Sequence, residues 1–561
     1  MSTQTRSYGR RLLPQVLDDM SNSTPDRIYA TIPRLTKDLS QGFKDITVSD
    51  VARCVNALAW WLQGNVGRSD SFETLCYIGL PDIRSAIVFL AAIKCGYKVL
   101  LPSPRNPTPT NKMLLDQTVC TKLLHAEEVT PLVNNLIAIH PGLRPMQITS
   151  LDEILSGTGP QYPYRKSFDE ARDDPIVILH SSGSTGLPKP VTMTYGSFAI
   201  LDRERDLPTV AGRRNRDFSI WDFGPHGGRF FTIFPYFHLA GFLSLIINPI
   251  LTETSSPVIG PALMPPSAAL MKEVMEQQKL KALYLPPSIA EQVLHEPGGL
   301  DLFRGLDFLC YTGGPFSQKA GETLAQVTEL IPLYGSTEAF QVPQLAPRDP
   351  QRDYAYMEWN PVFRMEMQPP DDEPGAFELV LFADADTENM SALNHNFPGT
   401  HEWRTKDLFK QHPDPQKSGL WSYYGRRDDI IVLSNSEKFN PVPMELIIQG
   451  HPMLAGALVI GQGKHQAALL VEPKAYPIDK ESLFNEIWPK VEQANAVSPA
   501  QGRILHSNML VANHDKPFTR AGKGTIVRKV TEKQYSSEIE ALYSREAVEP
   551  HKSTDQTPTL R

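Results

Sequence analysis

The run Ile178-Leu-His-Ser181-Ser182-Gly183-Ser184-Thr185-Gly186-Leu-Pro188-Lys189 sets small hydroxyl residues and glycines directly after an apolar stretch and ends on a lysine. Glycines let backbone N–H groups turn toward an anion, the serine and threonine hydroxyls add donors, and Lys189 adds charge, so the loop suits a phosphate. It lacks the Gly-x-x-x-x-Gly-Lys-Ser/Thr spacing of a Walker loop. A flexible surface loop is the competing reading, and the strand leading into it favours a defined turn. The five cysteines (Cys54, Cys76, Cys95, Cys120, Cys310) are scattered, with no Cys-x-x-Cys or Cys/His cluster. That argues against a zinc site or a disulfide framework and for a reducing compartment. Acidic residues number 63 against 55 basic ones, a net charge of -8, so no basic field exists to hold a nucleic acid.

Such a loop needs a scaffold, and the surrounding pattern supplies one. Residues 83–93 are largely apolar and end at Gly96, which predicts a helix, then a strand over 97–101 and a Pro-rich loop over 102–109. Similar steps recur as helix 265–280, strand 282–285, helix 288–295, strand 306–311, helix 317–330 and strand 331–334. This alternation implies parallel sheets flanked by helices, with many of the 49 prolines as punctuation between elements. Beyond about residue 370 the texture changes to short strands, at 377–382, 430–433, 457–460 and 467–471. Helices over 480–494 and 531–543 complete a further domain of ordinary size from 425 to about 543. A chain of 561 residues, 41% hydrophobic, is a folded protein of several core-forming units and not a peptide-sized module. The apolar stretch 85–101 is interrupted by Lys94 and Lys98, so it does not provide the roughly 20 residues of a membrane span. Arg6, Arg10 and Arg11 are followed by no signal-peptide core, and a cytoplasmic location is expected.

Six further motifs follow the loop in order: Pro235-Tyr-Phe-His238-Leu-Ala-Gly241, Thr312-Gly313-Gly314-Pro315, Tyr334-Gly335-Ser336-Thr337-Glu338, Thr405-Lys406-Asp407, Gly425-Arg426-Arg-Asp428-Asp-Ile-Ile, and Gly522-Lys523. Together with the loop they resemble the adenylate-forming superfamily of acyl- and aryl-CoA synthetases, nonribosomal-peptide adenylation domains and luciferases, over roughly residues 175–530. The resemblance implies an α/β fold: a large N-terminal adenylating core of flanked sheets over 1–426, a small mobile α+β C-terminal domain over 427–545, and a disordered tail or linker over 546–561. It implies ATP and Mg2+ as cofactors. Tyr334 would stack on adenine, with Gly313, Gly314 and Pro315 along the base edge. Thr337 would reach the α-phosphate and Glu338 the Mg2+. Gly335, Ser336 and Tyr423 belong to the same nucleotide site. Asp407 would accept both ribose hydroxyls, with Arg426 at the ribose or phosphate. Lys523, on a glycine-flanked loop, would neutralise charge building up at the α-phosphate. Asp428 takes the hinge position about which the C-terminal domain rotates between two half-reactions, presenting residues 434–440 to a thiol.

His238 bears most on the substrate. Amino-acid-activating members place an Asp near this point, and none occurs from 234 to 242, so an aromatic or other ammonium-free acid is expected. Phe242, Tyr284, Leu333 and Gln341 are the expected pocket lining. Pro190 after the loop lysine and Lys406 in place of the glycine of Thr-Gly-Asp depart from the general pattern, and the Leu-Pro-Lys-Pro190 and Glu437-Lys438-Phe-Asn-Pro441 forms with the opening Gly9-Arg-Arg-Leu-Leu-Pro14 resemble fungal nonribosomal-peptide-synthetase-like adenylate-forming reductases. In those proteins carrier and reductase domains follow, and neither signature occurs after residue 530, so an adenylation unit of a longer enzyme is expected, passing its acyl adenylate to a phosphopantetheine thiol. The alternatives are a free-standing aryl- or acyl-CoA synthetase using CoA, a nucleotide-binding protein whose chemistry has decayed, and, last, a luciferase-like oxygenase.

Overall fold

The computed structural model describes residues 8–182, 188–370, 375–434, 437–521 and 524–548. Among these, two compact units divide the chain: one runs up to residue 423 apart from 406–408, and the other takes 406–408 and all from 424 onward.

The first unit is α/β with mixed sheets. One sheet runs in the order Glu329–Pro332, Phe308–Tyr311, Ala282–Leu285, Gly228–Thr232, Ser255–Val258, Ile28–Pro33, Phe43–Thr47. It is parallel except at its last pair. A second, Arg144–Gln147, Lys122–His125, Thr74–Ile78, Lys98–Leu100, Pro175–Ser182, Pro188–Thr194, is likewise parallel except for its final strand. The expectation of parallel sheets therefore holds with one antiparallel edge each. A sheet with no crossover helix at its edge closes by a hairpin, which needs only a short connection. The central helix Arg84–Lys94 is buried at all eleven positions. It stops at Gly96, where φ is +84° and a Cβ would lie 2.1 Å from the Ser69 carbonyl oxygen. Its terminal Lys94 is held by Asp18 and Asn56 at 2.8 Å, which is how a buried ammonium is tolerated. The opening motif is a fastener. Gly9 N–H donates to Asp202 at 2.7 Å, and the Arg11 guanidinium bridges Asp202, Glu253 and the Leu251 carbonyl.

The helix expected over 317–330 is only Gln318–Leu324, and the next strand, Glu329–Pro332, begins earlier and ends two residues before Tyr334. The last helix is two: Arg528–Gln534 and Ser536–Val548. Tyr535 between them is buried, its hydroxyl donating to the Lys516 carbonyl and accepting from Asn513 N–H.

In the second unit the strands Leu454–Ile460 and Ala468–Pro473 are apolar on both faces, with Met509–Val511 beside them. Ala457, Val459, Leu469 and Val471 face the helices Val442–Gln449 and Lys480–Val497. The alternate residues, Leu458, Ile460 and Leu470, face Tyr535, Ile539 and Leu542. A strand buried on both sides loses the apolar–polar alternation, and so reads as a short apolar run.

Candidate active site

Four neighbouring parallel strands end at one edge of the first sheet, and three of these ends lead into a sequence motif. Phe308–Tyr311 leads into Thr312–Pro315, Glu329–Pro332 into Tyr334 and its hairpin, and Gly228–Thr232 into the Phe234–His238 turn, while Ala282–Leu285 carries Tyr284 as its penultimate residue. The carboxyl ends of parallel strands are where α/β folds bind ligands, because loops there can vary without disturbing the sheet. Gly313 and Gly314 have φ of +91° and +154°, with open space where a Cβ would stand.

In the second sheet two strands flank the loop motif. Strands Pro175–Ser182 and Pro188–Thr194 pair antiparallel, Ser181 opposite Lys189 and Ser182 opposite Pro188, with Lys189 exposed. Gly183, Ser184, Thr185 and Gly186, and the Ser182 side chain, lie outside the described residues. His180, just before the turn, accepts the Ser103 N–H at Nε2 at 3.3 Å. Burial pushes its pKa down to about 4, so the ring is neutral at physiological pH.

Tyr334 is half-buried, its ring edge-on to Trp359 at 5.6 Å and to Phe409 at 5.2 Å, and Phe409 in turn meets Tyr423 at 5.7 Å. The following hairpin pairs Gly335 with Gln341 and Ser336 with Phe340. Gly335 is required there, since a Cβ would come 2.4 Å from the Phe340 carbonyl. Thr337 and Glu338 sit on the half-buried turn; Ala339 N–H donates to Ser336 Oγ at 3.1 Å, and the Glu338 carbonyl accepts from Asn396 Nδ2 at 2.8 Å. No group of three or more metal-ligating side chains exists among the described residues. A single carboxylate fits Mg2+, which takes one or two carboxylates and fills its shell with phosphate oxygens and water. Gln341 spends its amide N–H on Glu204 at 3.0 Å. Burial, with Asp217 nearby, raises the Glu204 carboxyl well above its usual range and favours its protonated form.

His238 caps the short helix Leu239–Phe242, its Nδ1 accepting from Ala240 N–H at 3.3 Å. The ring stacks on Phe234 at 6.0 Å, and Phe234 meets Tyr284 edge-on at 4.8 Å. Leu333 is half-buried beside this core. Phe242 is fully buried, wedged between Phe89 and Phe198, so its ring belongs to the core.

In the second unit Asp407 lies 3.6 Å from Arg426, which lies 3.6 Å from Asp428. Lys406 also reaches Asp428, at 3.6 Å, from a left-handed backbone with φ of +61°. That conformation explains why a glycine would be at ease at this position. Gly522 and Lys523 lie outside the described residues. The chain on either side forms a hairpin base: Arg520 bridges to Ile526, and Val527 N–H donates to Thr519 at 2.8 Å. Sequence motifs flagged neither Asn396 nor Glu204. Their partners lie 58 and 137 residues away in the chain, so no local signal marked them.

Residues 18–357 match the AMP-binding enzyme family, and residues 428–547 match the AMP-binding enzyme C-terminal domain. The chain belongs to the AMP-binding enzyme family. Among curated members, a carboxylic acid reductase of Neurospora crassa is 32% identical over 99% of this chain and 53% of its own length. An isocyanide synthase-NRPS hybrid, crmA, of Aspergillus fumigatus is 32% identical over 96% of this chain and 34% of its own. The chain thus spans about half the length of one relative and a third of the other. Among solved structures, the A domain of carboxylic acid reductase from Segniliparus rugosus, in complex with AMP and a co-purified carboxylic acid, superposes with a TM-score of 0.72 at 15% identity. That match covers 97% of this chain and 95% of that one. The AMP-binding fold, with its separate C-terminal domain, is therefore that of this chain.

Proposed function

We propose that this chain activates a carboxylic acid with ATP, releasing pyrophosphate and holding an acyl adenylate for a thiol. The observation that carries this is the convergence of three motif-bearing strand ends on one edge of a parallel sheet in a chain of the AMP-binding family. The carboxylate attacks the α-phosphorus in line, and no protein nucleophile is needed, so the chain's task is positioning and charge stabilisation. Tyr334, held edge-on by Trp359 and Phe409, offers a fixed face to adenine. Asp407 takes the ribose, with Arg426 beside it. Glu338 would hold Mg2+, which supplies charge neutralisation at the phosphates when bound. Lys189 and the loop hydroxyls receive the leaving phosphates, Thr337 the α-phosphate, and Lys523 the charge that develops there.

His238, stacked on Phe234 and oriented through Nδ1, orients the acid, and the neighbourhood of Phe234, Tyr284 and Leu333 suits an aryl or other ammonium-free substrate. The acceptor is the phosphopantetheine of a carrier domain in a carboxylate-reductase-type assembly, consistent with relatives much longer than this chain. The C-terminal domain rotates about Asp428 between the half-reactions. The setting is cytoplasmic: all five cysteines are free and buried. No helix among the described residues is long and apolar enough to cross a membrane.

ATP–pyrophosphate exchange against benzoates, cinnamates, aryl 2-oxo acids, fatty acids and amino acids tests the reading. Mg2+-dependent exchange with aryl or other ammonium-free acids is expected, and exchange confined to amino acids would overturn the substrate assignment. Product formation with CoA alone, equal to that with a carrier domain, would overturn the acceptor.

A further inference from the structure

The turn bearing Glu338 is held from outside its own hairpin, by residues that no motif marks. Asn396 is 9% exposed and its side chain is engaged at both ends: Oδ1 accepts from Ser197 Oγ at 2.7 Å and Nδ2 donates to the Glu338 carbonyl at 2.8 Å. Ser197 lies on the helix Tyr195–Arg203. The next residue of that helix, Phe198, packs its ring on Phe340 at 5.3 Å, and Phe340 closes the same hairpin with a φ of +62°. One helix therefore grips the turn at two successive residues, by packing at Phe198 and through Asn396 at Ser197.

That helix directly follows the strand Pro188–Thr194, whose register sets Lys189 opposite Ser181. The chain thus leads from the lysine of the anion loop along this strand and helix to Ser197, and two hydrogen bonds lead on from there to the peptide of Glu338. Gly196 makes the approach possible. His395, next to Asn396, lies against the helix at this point, and a Cβ on residue 196 would come 2.4 Å from its Nδ1. A buried amide with both ends paired holds a single orientation, because any rotation leaves a polar group unsatisfied.

We infer that Asn396 is a positioning residue for the metal-facing turn, fixing the peptide of Glu338, and so the direction of its carboxylate, relative to the anion loop. This rests on the reading of Glu338 as the Mg2+ ligand. If Asn396 acts this way, its loss weakens the gain in ATP affinity that Mg2+ confers and leaves metal-free binding alone.

The test is titration calorimetry of ATP with the full chain, with Mg2+ and with a chelator, for wild type, Asn396→Asp and Ser197→Ala. Asn396→Asp keeps the size and the acceptor but replaces the donor aimed at the Glu338 carbonyl by a carboxylate. The expected result is a wild-type Mg2+ gain of about tenfold or more, reduced in Asn396→Asp to about twofold, with metal-free affinity unchanged. Lowering the pH restores part of that gain as the new carboxyl is protonated and regains a donor. A Mg2+ gain equal to wild type, or an equal loss with and without Mg2+, overturns the inference. Should Asn396→Asp fail to fold, Ser197→Ala decides: a partial loss of the Mg2+ gain supports the inference and an unchanged gain overturns it. Wild-type chain that binds no ATP would instead sink the nucleotide reading under it.

Discussion

His180 stands one residue before the anion loop, and its Nε2 must be unprotonated to accept the Ser103 N–H. Its folded pKa of about 4 lies below the ordinary 6.5. Between those values the unfolded chain holds a proton that the native chain does not, so stability rises with pH across that window and is lost as pH falls through it. The contribution is up to about 3 kcal/mol. His180→Gln should flatten the dependence of the melting temperature on pH between about 6.5 and 4; an unchanged slope would show the ring is not what titrates. At Lys406 a lysine occupies a left-handed backbone. Lys406→Gly should raise the stability of its unit by about 0.5–1 kcal/mol, despite losing the pairing with Asp428, because exposed ion pairs contribute little. A lower denaturation midpoint would contradict that. Glu338 and His238 stood out as candidates because each sits in a run of telling neighbours. Asn396 did not, since an asparagine becomes informative only when folding brings Ser197 and Glu338 to it.

At the scale of elements, the turn that presents His238 depends on a close backbone approach. A Cβ on Gly241 would lie 2.1 Å from the Pro235 carbonyl oxygen and 2.4 Å from that of Phe234. Backbone cannot yield as a side-chain end can, so Gly241→Ala should displace the Phe234–His238 turn and raise KM for the acid more than KM for ATP. Equal effects on both would make the glycine a matter of global packing. The strands Ala282–Leu285 and Phe377–Phe382 were readable from apolar runs alone, as was most of the helix Arg84–Lys94. The two helices around Tyr535 were not, because what divides them is a buried tyrosine hydroxyl tied to the Lys516 and Asn513 backbones. The strand Pro188–Thr194 was hidden for a related reason: its two prolines argue against a sheet interior, and it is an edge.

On the scale of the whole molecule, each unit has apolar cores of its own. In the second, Arg528, its side chain 11% exposed, pairs with Glu445 through two contacts of 2.7 Å and also donates to the Val459 carbonyl. Removing one partner of a largely desolvated pair strands the other, so Arg528→Ala should cost about 2–3 kcal/mol and lower the calorimetric transition of the second unit while leaving that of the first in place. A single transition shifted as a whole would mean the units do not melt separately. Lys523→Ala should slow adenylate formation by about a hundredfold or more and spare thiol transfer from a supplied acyl adenylate, since the charge it answers exists only in the first half-reaction. The order of motifs along the chain made the family readable, whereas the meeting of strand ends at one sheet edge is a product of topology.

Attack of a carboxylate on the α-phosphorus is followed most directly by oxygen tracing. An acid that supports exchange, labelled with 18O in its carboxylate, is turned over with ATP and a thiol acceptor, and the phosphorus products are read by mass. One label in AMP, with unlabelled pyrophosphate, is the expected result, because the bridging oxygen of the acyl adenylate leaves with AMP. Label in inorganic phosphate alongside ADP would place the attack at the terminal phosphate and rule out an acyl adenylate.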